Sequence, residues 1–240
     1  MNLTIHKDKQ ALAEAAARDF VARAAAAIED RGRFTVALAG GSTPKTAYEL
    51  LARDHTDEVD WSNVHVFYGD ERSVPPEHED SNYRMSKEAL LDHVQVASVH
   101  RMQGELPPEQ AAKSYEEELR EFFGDEDPLV MDLIMLGIGG DGHTASLFPN
   151  TPALKVTDRL ATENPVEKLN TVRITLTAPV LNAARAVNFV VAGEDKAEAL
   201  REILEGRGDP HTYPAKLVRP QGGALWMVDR EAAGSLKDTN

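Results

Sequence analysis

MDLIMLGIGGDGHTASLFP, Met131 to Pro149, runs from an apolar segment straight into a loop holding four glycines. Its first part, MDLIMLG (131–137), is the most hydrophobic strand candidate in the chain. It shows no in-and-out alternation. A strand apolar on both sides is buried on both faces, as in a parallel sheet sandwiched between helices. Residues 137–142 also satisfy G-x-G-x-x-G, the dinucleotide pattern, so the loop poses a question of cofactor binding.

The same unit recurs outward from this segment. FTVALAG (34–40) reads as a buried strand entering a glycine turn, followed by a helix at TAYELLAR (46–53) with Thr43 as N-cap and Pro44 at the first helical position. VHVFYG (64–69) is a strand that opens into the polar loop DERSVPPEHEDSNY. Helical spacing covers residues 8–31, 83–93 and 108–123. VRITLT (172–177) and AVNFVVAG (186–193) are further strands, the second leading into a helix at 195–204. ALWMVD (224–229) is expected to close the sheet, with a short helix after it. No repeat or linker divides the chain. Residues 1–240 therefore read as one α/β domain with a mostly parallel sheet and helices on both faces. In such sheets ligands gather at the carboxyl ends of strands. GGSTP, GDER and GIGGDGH all fall there.

Composition narrows the function. The net charge is -14, from 40 acidic and 26 basic residues, which disfavours nucleic acid and anionic membranes as partners. A local cluster of cations can still bind a small anion. With no cysteine, disulfides, thiolate metal sites and cysteine nucleophiles are excluded. MNLTIHKDKQ lacks the apolar core of a secretory signal. No stretch reaches the roughly 18 apolar residues of a membrane span. A cytoplasmic protein is expected, as a monomer or small homo-oligomer.

The dinucleotide reading of the glycine loop fails on physical grounds. Asp141 would set its charge against a pyrophosphate, and Pro149, seven residues after Gly142, leaves room for only a short helix. No P-loop lysine pattern occurs either. What remains is Asp141-Gly142-His143 at a strand end. Histidine can take a proton from water near neutral pH, and a neighbouring carboxylate can orient its ring. The alternative is a histidine that only caps the loop.

Other clusters carry similar pairs of readings. In GGSTPKTAY, Gly41, Ser42 and Thr43 bring hydroxyls and backbone N–H groups to a helix start, which suits a phosphate or merely caps the turn. In GDERS, Arg72 either binds substrate charge or pairs with a carboxylate to steady the long loop. Arg173 and Lys196 sit beside strands as candidate phosphate cations. Ser146 lacks a nucleophile elbow and reads as a hydrogen-bonding turn residue. No H-E-x-x-H pair supports zinc, and Trp61 and Trp226 read as core.

Taken together, the segments LAGGSTPKTAYELL (38–51), VHVFYGDERSVPPEHEDSNYRM (64–85), MDLIMLGIGGDGHTASLFP (131–149), RITLTAPVLNAA (173–184) and VVAGEDKAEAL (190–200) resemble the 6-phosphogluconolactonase family. Residues 206–221 match none of its motifs. The resemblance implies a Rossmann-like sugar-phosphate isomerase fold and hydrolysis of 6-phospho-D-glucono-1,5-lactone without metal or organic cofactor. For that reaction the residues suggest His143 as general base, with Asp141 to orient it and Arg72 for the oxyanion. Gly139 and Gly140 would offer backbone N–H groups, and Ser42, Thr43, Arg173 and Lys196 would hold the phosphate. Asp70 would bind sugar hydroxyls or fix Arg72. The related glucosamine-6-phosphate deaminases carry DGHxAFNEP. Here Phe148 stands where they place the glutamate, which favours lactone hydrolysis over deamination. A non-catalytic sugar-phosphate sensor is the third reading.

Overall fold

The structure, a computed structural model, describes residues 2–124 and 128–237. Seven strands form one all-parallel sheet. Its order is β1 (Asn2–His6), β10 (Leu225–Asp229), β9 (Val187–Val191), β6 (Leu133–Leu136), β2 (Phe34–Leu38), β3 (Val64–Tyr68) and β5 (Ser98–Val99). Every residue of β2, β6 and β9 is buried. The two faces take alternate residues of the same strand: Leu133 and Met135 enter one core, Ile134 and Leu136 the other. The first core is covered by helices α1 (Lys9–Arg31) and α2 (Ser42–Asp54). The second is covered by α4 (Pro108–Phe123), α5 (Ala178–Ala183) and α6 (Ala197–Leu204). The expected α/β class is therefore the observed one.

Several expected details differ. β10 does not close the sheet, because β1 pairs outside it, from Asn2 opposite Leu225 to His6 opposite Asp229. NLTIH is largely exposed and lacks the apolar run that marks an inner strand. The segment read as VRITLT is β8 (Thr171–Leu176), and it lies outside the main sheet. It sits between β4 (Asp70–Arg72) and β7 (Ala161–Val166) in a small antiparallel sheet. DER and ATENPV are too short or too polar to announce strands. Thr43 is not the N-cap of α2. The helix starts at Ser42 with Gly41 as the cap, so Pro44 is its third residue, where its missing N–H would have had no helical partner anyway. The helix expected at 83–93 is α3 (Asn82–Ser86) prolonged by one π-helical turn at Lys87–Leu91, and the one at 195–204 opens with a 3-10 turn at Glu194–Lys196. The last helical piece is a 3-10 turn at Ala232–Ser235.

Two features place the site. From β2 the chain proceeds to β3 and β5 on one side, and from β6 to β9 and β10 on the other. The crevice beyond β2 and β6 is thus the switch point where such folds take ligands. Gly69 also joins the two sheets. Its N–H donates to Leu38 O of β2 at 3.1 Å, and its carbonyl accepts the Leu176 N–H of β8 at 2.9 Å. The small sheet consequently stands over the carboxyl ends of the large one. No helix among the described residues is long and apolar enough to cross a membrane.

Candidate active site

A cleft of about 570 Å³ opens at the switch point. All of the expected site residues except Ser42 and Thr43 line it. Ser42 and Thr43 line an adjoining recess of about 250 Å³, which shares Gly40, Gly41 and Lys196 with the cleft. The strand ends and the small sheet therefore bring together groups from five separate stretches of sequence.

His143 is the centre of the arrangement. Its Nδ1 lies 2.6 Å from Asp141 Oδ1, which also accepts the His143 amide at 3.2 Å. A carboxylate can only accept, so the ring proton sits on Nδ1 and the Nε2 lone pair is left open. Nε2 has no hydrogen-bond partner among the described residues. The ring stacks on Phe148 with centroids 4.1 Å apart. Burial is the main force on its basicity and pushes the imidazole down to about 4. The Asp70 carboxylate works against that shift, and Lys196, Arg173 and Arg72 add to it. The ring is thus neutral, a proton acceptor, through the physiological range.

Gly139 explains why the loop needs a glycine at its centre. A Cβ there would lie 2.1 Å from His143 Nδ1 and 2.7 Å from Asp141 Oδ1. The imidazole occupies that space. The Gly139 N–H is already committed to the His143 carbonyl at 2.9 Å, so it braces the histidine loop and is not free for substrate. The Gly140 N–H has no backbone partner among the described residues and remains available at the cleft wall.

The geometry also separates the two aspartates. Asp141 bonds the histidine, whereas Asp70 is fixed by Ser146 Oγ at 2.6 Å and by Asn82 Nδ2 at 3.3 Å. Ser146 is buried and acts as that donor, in line with its reading as a hydrogen-bonding residue. A Cβ on Gly40 would fall 2.0 Å from Asn82 Oδ1, so the bare glycine lets Asn82 reach Asp70. Asn82 is in turn set by Glu71. The Glu71 carboxylate accepts the amides of Arg72, Asn82 and Tyr83 at 2.7–2.8 Å and the Ser81 hydroxyl at 3.0 Å. Burial raises Glu71 despite these donors. Glu71→Gln turns an NH2 group toward two of them and should cost about 2–4 kcal/mol, measurable by urea denaturation. Wild-type stability in that variant would remove Glu71 as the organiser of the loop.

Cations line the other wall. Arg72 and Arg173 are register partners across β4 and β8, and the Nε of each is buried without a hydrogen-bond partner. Arg72 ties to the long loop through the Asp80 carbonyl at 2.5 Å, and neither arginine has a carboxylate partner among the described residues. Burial and the neighbouring Arg72 charge lower Arg173. Two adjacent guanidiniums with spare donors form a receptor for an anion. Lys196 stands between cleft and recess, paired with Asp195 at 2.7 Å. In the recess, the first-turn N–H groups of α2 have no partner one helical turn back, which suits a phosphate.

Some participants carry no sequence signal. Asn82 sits in a polar loop, and its burial depends on the fold. The segment 206–221 passes behind the glycine loop: Tyr213 packs on Gly142, and the Ala215 N–H donates to Gly142 O at 3.0 Å. Lys168 and Leu169, at the tip of the hairpin between β7 and β8, reach the cleft from above.

Comparisons with known proteins give the family and the fold. Residues 7–227 match the family described as glucosamine-6-phosphate isomerases/6-phosphogluconolactonase. The chain is similar to a 6-phosphogluconolactonase of Synechocystis sp., 47% identical over 235 residues and 96% of each chain. The structure resembles a 6-phosphogluconolactonase from Trypanosoma cruzi with a TM-score of 0.88, covering 99% of this chain and 97% of that one at 26% identity. A monomeric glucosamine-6-phosphate deaminase shares the fold, with a TM-score of 0.79 over 98% of this chain and 100% of that one at 22% identity.

Proposed function

The chain belongs to the glucosamine-6-phosphate isomerase/6-phosphogluconolactonase family, and from that premise we propose that it hydrolyses 6-phospho-D-glucono-1,5-lactone to 6-phosphogluconate with His143 as general base. The observation that carries the reading is the neutral imidazole, anchored through Nδ1 to Asp141 and open at Nε2, in one cleft with Arg72 and Arg173, which have no carboxylate partner among the described residues.

The lactone is an activated ester. His143 Nε2 takes a proton from water as the water oxygen bonds the carbonyl carbon. Asp141 stabilises the imidazolium that forms. Arg72 and the Gly140 N–H stabilise the tetrahedral oxyanion. When the intermediate collapses, the ring C–O bond breaks and the departing ring oxygen takes the proton back from His143. The product carries a free hydroxyl and a new carboxylic acid, which ionises to the carboxylate by releasing one proton to solvent. Every proton and charge is accounted for by water and these side chains, so the chemistry calls for no cofactor.

Lys196, Arg173, Ser42, Thr43 and the N–H groups around Gly41 hold the phosphate, and remote binding energy positions the ring. Asp70, fixed by Ser146 and Asn82, faces the sugar hydroxyls. Such chemistry suits a small-molecule enzyme of the cytoplasm. Deamination is disfavoured because Phe148 fills the place of the second carboxylate and packs on the base.

The test is a coupled assay of 6-phosphogluconate formation from freshly generated lactone, corrected for spontaneous hydrolysis and run beside ammonia release from glucosamine 6-phosphate. Hydrolysis no faster than the blank would reject the proposal. Lys196→Ala should raise KM roughly 10- to 100-fold, the worth of one charge-assisted contact, with kcat changed less. An unaltered KM would take Lys196 out of the phosphate site.

A further inference from the structure

Two different elements hold the two oxygens of Asp141. Oδ1 accepts from the His143 ring and amide. Oδ2 accepts from Lys168 Nζ, a side chain 27 residues away in sequence. Lys168 belongs to the 3-10 turn Glu167–Leu169 at the hairpin tip, which ends at Asn170 in the left-handed region with φ 47°. The same ammonium lies 5.1 Å from the Phe148 ring centroid, and Phe148 is the ring stacked on His143. Lys168 thus touches both groups that touch the imidazole.

We propose that Lys168 is a positioning residue for the His143 base: by holding Asp141 Oδ2 it keeps a cation at the far end of the aspartate–histidine pair. The ammonium also draws electron density from the carboxylate, which weakens its stabilisation of imidazolium. The balance of charge facing His143 is then Asp141 and Asp70 favouring protonation, against Lys196, Arg173, Arg72 and Lys168 opposing it. Removing Lys168 tilts that balance toward the charged ring.

The alternative is an ordinary surface ion pair. Lys168 is half exposed, and pairs of that kind contribute little to stability. Unfolding measurements would therefore not separate the two, but the titration of the base does. The proposal rests on His143 being the base of the reaction given above, and its test is arranged to stand apart from turnover.

The experiment is a histidine side-chain NMR titration of the full chain without substrate, for wild type, Lys168→Met, Lys168→Gln and Lys168→Arg. The His143 signal is assigned by its loss in His143→Asn. The expected result is a midpoint raised by roughly 0.5–1 pH unit in the Met and Gln variants and restored in Lys168→Arg. The acid limb of kcat/KM should move with it. Unchanged His143 midpoints in Lys168→Met and Lys168→Gln overturn the proposal, whatever their turnover. If wild type fails to hydrolyse the lactone, the reaction assignment falls while the titration still decides on Lys168.

Discussion

His143→Asn should lower kcat for lactone hydrolysis by about 100- to 10,000-fold, the usual worth of a positioned general base, with KM nearly unchanged. Asparagine retains a side-chain donor that can reach Asp141, so the loop should keep its shape while losing the proton acceptor. The pH profile sharpens the test. Burial holds the folded imidazole at about 4, below its ordinary 6.5. The acid limb of wild-type kcat/KM should therefore lie below the ordinary imidazole value. The same shift acts on stability. Between pH 6.5 and 4 the unfolded chain binds a proton at this histidine that the folded chain refuses, so acidification through that window costs stability. His143→Asn should lose less stability over the window than wild type does. Near-normal turnover in the variant would contradict the assignment.

Gly139→Ala should approach the loss of the base itself. The new methyl would lie 2.1 Å from Nδ1 and 2.2 Å from Cε1 of the imidazole, far inside contact distance. The ring cannot retreat by rotating freely, because Phe148 covers its face at 4.1 Å and Asp141 grips its edge. Something must shift by about an ångström, and misplacement of that size costs on the order of 100-fold in rate. The phosphate recess lies apart from this contact, so KM should move little. A variant with wild-type kcat would show that the loop tolerates a displaced ring and that the close approach is incidental. A crystal structure of the Gly139→Ala variant with the imidazole unmoved would say the same.

The large sheet was legible because β2, β6 and β9 are apolar on both sides, and burial on both faces leaves no other pattern. The Asp141–His143 pair was legible for a local reason: the two residues are two apart, and their contact needs only the loop that holds them. The rest depends on contacts between distant segments. Asp70, Ser146 and Asn82 meet only after β4 leaves the main sheet. Arg72 faces Arg173 only because β8 runs antiparallel to β4, and neither neighbour in sequence hints at that register. EKLNT at the hairpin tip reads as an exposed turn, so Lys168 gave no sign of reaching Asp141. The glycine motif misled in one respect. It resembled a loop shaped for a ligand's phosphates, yet Gly139 is bare to admit a side chain of its own protein.

Gly69 sets a dimension of the molecule. The base hangs from the parallel sheet after β6, while the paired arginines ride on the antiparallel one, and between β3 and β4 only this residue passes from one to the other. The span from proton acceptor to anion receptor is therefore a gauge set by this joint together with the Ser146–Asp70 bond that crosses beside it, and neither sheet sets it alone. A shift of that joint would rescale the length of molecule the cleft can measure while leaving both jaws intact.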